Sequence, residues 1–288
     1  LIDEALKTGV LDVVDFSTEI IDQDFYRGVK SKLGHVLSGQ VFPRSGETDL
    51  VIKILREARQ ILLIGPSGAG KSGLLWLISS EMSSWGRWFE IKSTASVSDA
   101  FLIVRFVRSR QPKAGSPIML AMDEVSTHNC ELWSMLSEQL RAFSDVYLVG
   151  TARIEDLPLI PSRSAFKTFS VMLDERLAQS LWETLSASNM TSWSHWREPF
   201  EKCDGLLLEY THILTQGGRL SSVIGDQIRQ REQEDRHDEL SIIRICSAVC
   251  VNGGEVSVSK LFRGLNIPCD RGKPALTRLL DEHLVRES

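Results

Sequence analysis

Gly65-Pro66-Ser67-Gly68-Ala69-Gly70-Lys71-Ser72 fits the pattern GxxxxGK[ST] at every fixed position. The apolar run Ile61-Leu62-Leu63-Ile64 before it reads as a buried strand. Ser72-Gly73-Leu74-Leu75-Trp76-Leu77-Ile78 after it reads as the first turns of a helix. Strand, glycine loop and helix in that order aim several backbone N–H groups and a positive helix end at one anion. A side chain at Gly68 or Gly70 would block the approach of backbone to phosphate. The expected cradle is therefore Gly65, Pro66, Ser67, Gly68, Ala69, Gly70, Lys71, Ser72 and Gly73. Lys71 would reach the β- and γ-phosphates, and the Ser72 hydroxyl would ligate Mg²⁺.

The rest of the chain frames that loop. With 288 residues there is room for two or three compact units. Hydrophobic content of 42% and charged content of 25% match a globular protein. No apolar stretch approaches a membrane span. The formal net charge of −5 builds in no global attraction for nucleic acid. Cys130, Cys203, Cys246, Cys250 and Cys269 are an odd set without a CxxC pair, and they read as reduced thiols of a cytoplasmic protein. No secretory signal is visible. The start at Leu1 and the end at Ser288 read as those of an excised piece of a longer protein.

Residues 1–59 read as a mostly helical lead-in, with a turn cluster at Pro43–Thr48 and an amphipathic helix over Leu50–Ala58. From 60 to 172 strands and helices alternate, with strands expected at 60–64, 88–91, 117–122, 146–150 and 167–171. Between them, Glu131–Phe143 reads as a helix whose face is Leu132, Met135, Leu136, Leu140 and Phe143. Such alternation implies an α/β fold, a parallel sheet flanked by helices on both sides. Ligands then sit at the carboxyl ends of the strands. Residues 173–237 read as a helical domain. Residues 238–288 read as three helices: Glu239–Cys250, which ends at Asn252-Gly253-Gly254, then Ser257–Gly264 and, after a Pro268–Pro274 turn, Ala275–Leu284. Their short connections resemble a winged helix whose final β-wing lies past Ser288.

Two further strands end in chemistry. Pro117-Ile118-Met119-Leu120-Ala121-Met122 runs into Asp123-Glu124. Asp123 would hold the Mg²⁺ shell opposite Ser72, and Glu124 would polarise the attacking water. Val146-Tyr147-Leu148-Val149-Gly150 runs into Thr151-Ala152-Arg153. A hydroxyl and a cation there would lie beside the γ-phosphate, and Arg153 could sense it.

Phosphate loop, Asp-Glu strand, Gly-Thr-Ala-Arg strand, helical lid and winged helix, in this order, resemble the STAND class of AAA+-related P-loop ATPases, which includes the NACHT and NB-ARC switches of immunity and cell death. The likeness runs from about residue 25 to the end of the chain. It implies a P-loop NTPase sheet followed by a lid and a winged helix. It also implies a closed ADP form, an ATP-bound homo-oligomer, slow regulatory ATPase activity, and effector and sensor domains outside this segment. The loop and lid sequences resemble bacterial members, which act in anti-phage defence. Asp204-Gly205-Leu206-Leu207-Leu208 resembles the lid's Gly-x-Pro-Leu motif, with Leu207 where the family has proline against adenine. Phe25-Tyr26-Arg27-Gly28-Val29 resembles the adenine-side Gly-Arg-Glu motif in a different order, and His283 is a candidate for the winged-helix histidine.

The competing reading is a DNA-acting AAA+ ATPase with a winged helix, such as a replication initiator or transposition regulator. A DNA reader needs Lys or Arg along its third helix. Residues 275–286 set Asp281 and Glu282 against Arg278 and Arg286, which favours the switch and makes direct nucleic-acid binding unexpected. A third reading, a scaffold that binds nucleotide without hydrolysing it, is opposed by Glu124.

Overall fold

The computed structural model describes residues 4–23, 25–161, 163–251, 254, 256–281 and 284–285, so His283, Asn252, Gly253, Glu282 and Arg286 lie outside the described residues. The chain divides into two compact units between Gly218 and Arg219. The break follows a left-handed Gly217 that closes a helix, and it falls inside the stretch 173–237 read above as one helical domain.

The first unit runs α1 (Glu4–Lys7), β1 (Leu11–Val13), α2 (Leu33–Leu37), α3 (Ser45–Ala58), β2 (Gln60–Gly65), α4 (Lys71–Glu81), β3 (Arg87–Ile91), α5 (Ala100–Arg110), β4 (Ile118–Val125), α6 (Cys130–Leu140), β5 (Val146–Arg153), β6 (Lys167–Ser170), α7 (Glu175–Ala187), α8 (Arg197–Lys202) and α9 (Leu207–Gln216). The strands form a six-stranded sheet in the order β1-β3-β4-β5-β2-β6. Every neighbouring pair is parallel except β1 with β3. β2 is buried at all its residues, as expected of a strand covered on both faces. Its side chains alternate between two cores. Leu62 and Ile64 pack with Ile103, Phe106 and Leu136 on one face, and Ile61 and Leu63 pack with Leu55, Leu74 and Ile78 on the other. On α6, Trp133 takes the core position expected of Met135, which is exposed. Gly150 is what admits that tryptophan, since a Cβ there would stand 2.4 Å from the indole ring.

Two readings of the lead-in are corrected. It is not mostly helical: Leu11–Val13 adds an antiparallel edge strand, because Leu11 is fully buried against the sheet. The Pro43–Thr48 turn cluster is the start of α3, which begins at Ser45. Glu47 in its first turn pairs with Arg44, and the buried Thr48 hydroxyl donates to Arg44 O at 3.0 Å. These contacts satisfy a helix start that polar composition alone does not distinguish from a loop.

After β6, Asp174 caps α7 by accepting from Leu177 N at 2.8 Å. Leu177, Leu181, Trp196, Tyr210 and Ile213 make the core of α7–α9. Trp182 and Trp193 pack against it and donate their indole N–H groups to Trp193 O and Ile213 O, each at 2.9 Å.

The second unit runs α10 (Leu220–Gln233), α11 (His237–Val251), α12 (Val258–Leu265) and α13 (Cys269–Asp281). The expected Pro268–Pro274 turn is instead the first part of α13, with Pro274 inside the helix. The helix survives because Gly272 lies against Phe262, where a Cβ would come within 2.9 Å of the ring, and Ala275, Leu276 and Leu279 are buried in the same core. Tertiary packing here outweighs local propensity. Glu239, 1% exposed, accepts from Arg231 of α10 at 3.0 Å and from Arg278 of α13 at 2.7 Å. It is thus a three-helix tie. Glu239→Ala would remove the buried carboxylate that Arg231 and Arg278 share and is expected to destabilise the unit by about 3 kcal/mol. The check is the urea midpoint of the intact chain. A cost below about 1 kcal/mol would mean that the arginines find other partners.

Candidate nucleotide-binding site

β2 ends at Gly65, and α4 begins six residues later at Lys71, with Gly70 as its N-cap. Gly68 and Gly70 hold φ of +81° and +87°, a left-handed backbone that glycine adopts without strain. The first intrahelical bond is Leu74 N to Gly70 O at 3.0 Å. The N–H groups that begin α4 therefore face outward from a positive helix end. Lys71 arches back over the loop and donates to Gly65 O at 3.0 Å and Pro66 O at 2.7 Å. Burial, then the nearby Arg153 charge, lowers its pKa despite Asp123, Glu155 and Glu124. An arriving phosphate would supply the anion this ammonium lacks.

The carboxylates stand opposite. β5 lies between β2 and β4, so its end bridges the loop and the acidic pair. Asp123 is 5% exposed, and its Oδ1 accepts from Ser72 Oγ at 2.9 Å and Thr151 Oγ1 at 2.6 Å. Thr151 Oγ1 in turn accepts from Glu124 N at 2.9 Å. Thr151 thus fixes the acidic pair through its hydroxyl. The β4–β5 register slips between Met122 and Val125, and Glu124 sits at φ +66°. This bulge turns its carboxylate outward, 58% exposed, beside the buried Asp123. Asn129, buried, holds the turn by donating to Glu124 O at 3.3 Å and accepting from Ser126 N at 2.8 Å. Arg153 is the register partner of Gly65, and its charge is felt by Lys71.

The donor set fits Mg²⁺. A hydroxyl and a carboxylate, both hard oxygens, meet at 2.9 Å. Among the described residues no group of three or more His, Cys, Asp or Glu is arranged to hold a metal unaided. Ser72 and Asp123 are the residues that would hold the ion.

Several site residues were not foreseen. Lys30, just past the Phe25–Val29 segment, places its Nζ 3.1 Å from Asp123 Oδ2 and 3.0 Å from Glu124 Oε2. Burial lowers its pKa, but the two carboxylates outweigh burial and the net direction is up. Arg44, 5% exposed, donates to Ala69 O at 3.2 Å and Met172 O at 3.0 Å and pairs with Glu47. No local pattern in the sequence marked Lys30 or Arg44. Of the two segments likened to adenine-side motifs, the first packs on α9 and the second borders the loop. The turn Phe25–Arg27 lies against α9, and Tyr26 packs on the α7–α9 core. Leu207 and Leu208 cover the loop glycines: Leu207 Cδ2 lies 2.6 Å from where a Gly70 Cβ would stand, and Leu208 N donates to Gly68 O at 2.9 Å.

Sheet, glycine loop and paired carboxylates together are those of a P-loop NTPase core. No protein-family model matches the chain, and no curated protein matches it in sequence. Among solved structures it is similar to the Thermotoga maritima RuvB Holliday junction branch migration motor, at 17% identity and TM-score 0.42 over 88% of this chain and 91% of that one. It is similar to a Walker-type ATPase of Pyrococcus abyssi at 14% identity and TM-score 0.43 over 83% of this chain and 89% of that one. Against Saccharomyces cerevisiae Hsp104 in its extended casein complex the values are 14% and 0.41, over 54% of this chain, which spans only 32% of the Hsp104 chain. Likenesses of this grade add nothing to what the loop and sheet establish. No helix among the described residues is long and apolar enough to cross a membrane.

Proposed function

We propose that this chain is the ATP- and ADP-binding core of a STAND-type signalling ATPase, a switch that assembles into a homo-oligomer when ATP replaces ADP. The observation that carries the reading is the contact of α9 with the phosphate loop, Leu208 N to Gly68 O at 2.9 Å with Leu207 over Gly70. Whatever enters the loop is felt by the helical segment, which in this reading is the lid. Lys71 and the loop amides bind phosphate, Ser72 and Asp123 hold Mg²⁺, Glu124 orients water, and Arg153 reads the γ-phosphate. Turnover is slow because closure has to complete the site. The output is antiviral or innate-immune signalling through effector and sensor domains outside this segment. The α11–α13 region stands as the winged helix. Its third helix is poorly suited to DNA, since Arg271 and Arg278 are tied to Asp238 and Glu239 at 2.7 Å each.

The test is mass analysis of the untreated protein, followed by sizing with each nucleotide. Retained ADP on a monomer and a larger assembly with ATP are expected. A monomer that ignores both nucleotides would sink the switch, and salt-sensitive DNA binding would favour a DNA-acting ATPase.

A further inference from the structure

Asp123 has two carboxylate oxygens with different duties. Oδ1 is fully engaged by Ser72 and Thr151. Oδ2 is therefore the oxygen left to face a cation, and Lys30 holds it at 3.1 Å. The same ammonium holds Glu124 Oε2 at 3.0 Å. One mobile charge thus sits on the metal-facing oxygen of one acid and on the catalytic oxygen proposed for the other. An ammonium and a divalent ion cannot share Oδ2, because like charges at that separation repel strongly. Lys30 is anchored near the phosphate site: Ser31 Oγ lies 3.6 Å from where a Gly73 Cβ would stand. The adjoining turn Phe25–Arg27 rests on α9.

From this arrangement we propose that Lys30 is a gating cation supplied in cis. It neutralises Asp123 and Glu124 and must leave both before a divalent ion and an attacking water can be placed. Its departure shifts the 25–37 segment, so metal arrival is transmitted to the part of the chain that borders α9. The inference rests on the nucleotide-site reading above and adds a control residue to it.

The experiment compares Lys30→Met, which keeps the apolar stem, and Lys30→Arg, which keeps the charge, with wild type in the full chain. The first readout is the Mn²⁺ concentration that half-saturates the protein with a non-hydrolysable ATP analogue, followed by electron paramagnetic resonance. Lys30→Met is expected to lower it about tenfold, the scale of two partly screened ion pairs. Analogue affinity without metal should stay within about twofold, as should Lys30→Arg in both measurements. The second readout is basal single-turnover hydrolysis, expected to rise several-fold in Lys30→Met. Unchanged or greater metal demand in Lys30→Met overturns the gate. So does slower hydrolysis, which would make Lys30 a phosphate-contacting residue. An unchanged thermal midpoint by circular dichroism excludes misfolding as the cause. If wild type takes up no nucleotide, the site reading falls and the gate with it. If wild type binds and the metal demand does not move, the gate alone falls.

Discussion

Lys71→Ala is expected to abolish measurable ATP and ADP binding, a loss of at least about a thousandfold in affinity. The ammonium would serve two phosphates through charge-assisted hydrogen bonds, each worth about 1.5–3 kcal/mol in a partly desolvated site. Losing them costs about 4 kcal/mol, which is three powers of ten. The fold should tolerate the change, because among the described residues Lys71 donates to Gly65 O and Pro66 O of its own loop. Lys71→Arg should not rescue binding, since a planar fork does not fit the arched path of the lysine. Equilibrium titration with a fluorescent ATP analogue checks this, and undiminished affinity in Lys71→Ala would remove the phosphate site from this loop.

Glu124→Gln is expected to slow hydrolysis by about 10²–10⁴-fold, the usual worth of a positioned general base. Nucleotide affinity should change little, because glutamine keeps the side chain's size and leaves the loop's own phosphate donors in place. Glutamine keeps the shape and the backbone bond from Glu124 N to Thr151 Oγ1, so the bulge should persist. The left-handed φ of +66° strains either residue alike. Single-turnover assays with radiolabelled ATP separate the two effects. Full turnover in Glu124→Gln would reassign the base, and lost affinity would show that the carboxylate acts in binding.

The parts of the site visible in the sequence are those carried by local pattern. A buried parallel strand must be apolar throughout, so Ile61–Ile64, Ile118–Met122 and Val146–Gly150 could be placed, and the residues that follow them fell at the sheet's carboxyl edge. The glycine loop was legible because glycine holds φ +81° and +87° without strain. Lys30 and Arg44 were not legible, for the opposite reason. Their roles depend on what a long flexible side chain reaches, and Arg44 meets Met172, 128 residues away, through a bond no local pattern encodes. Helix ends suffered likewise. Ser45–Thr48 and Cys269–Pro274 carry loop-like residues, and contacts with neighbours, the Arg44–Glu47 pair and the seat of Gly272 on Phe262 among them, make them helical. Thr151 was located at the right strand end, but its hydroxyl's commitment to Asp123 depends on the bulge in β4.

Arg44 has a mechanical consequence. Its rigid planar cation joins Ala69 O in the phosphate loop to Met172 O, where the sheet gives way to the helices. A guanidinium cannot lengthen, so strain applied at one carbonyl arrives at the other. A tug on the chain beyond residue 173 would therefore be delivered to the glycine-loop backbone at Ala69. In the function proposed above, tension, and not concentration alone, would then set how long a nucleotide stays.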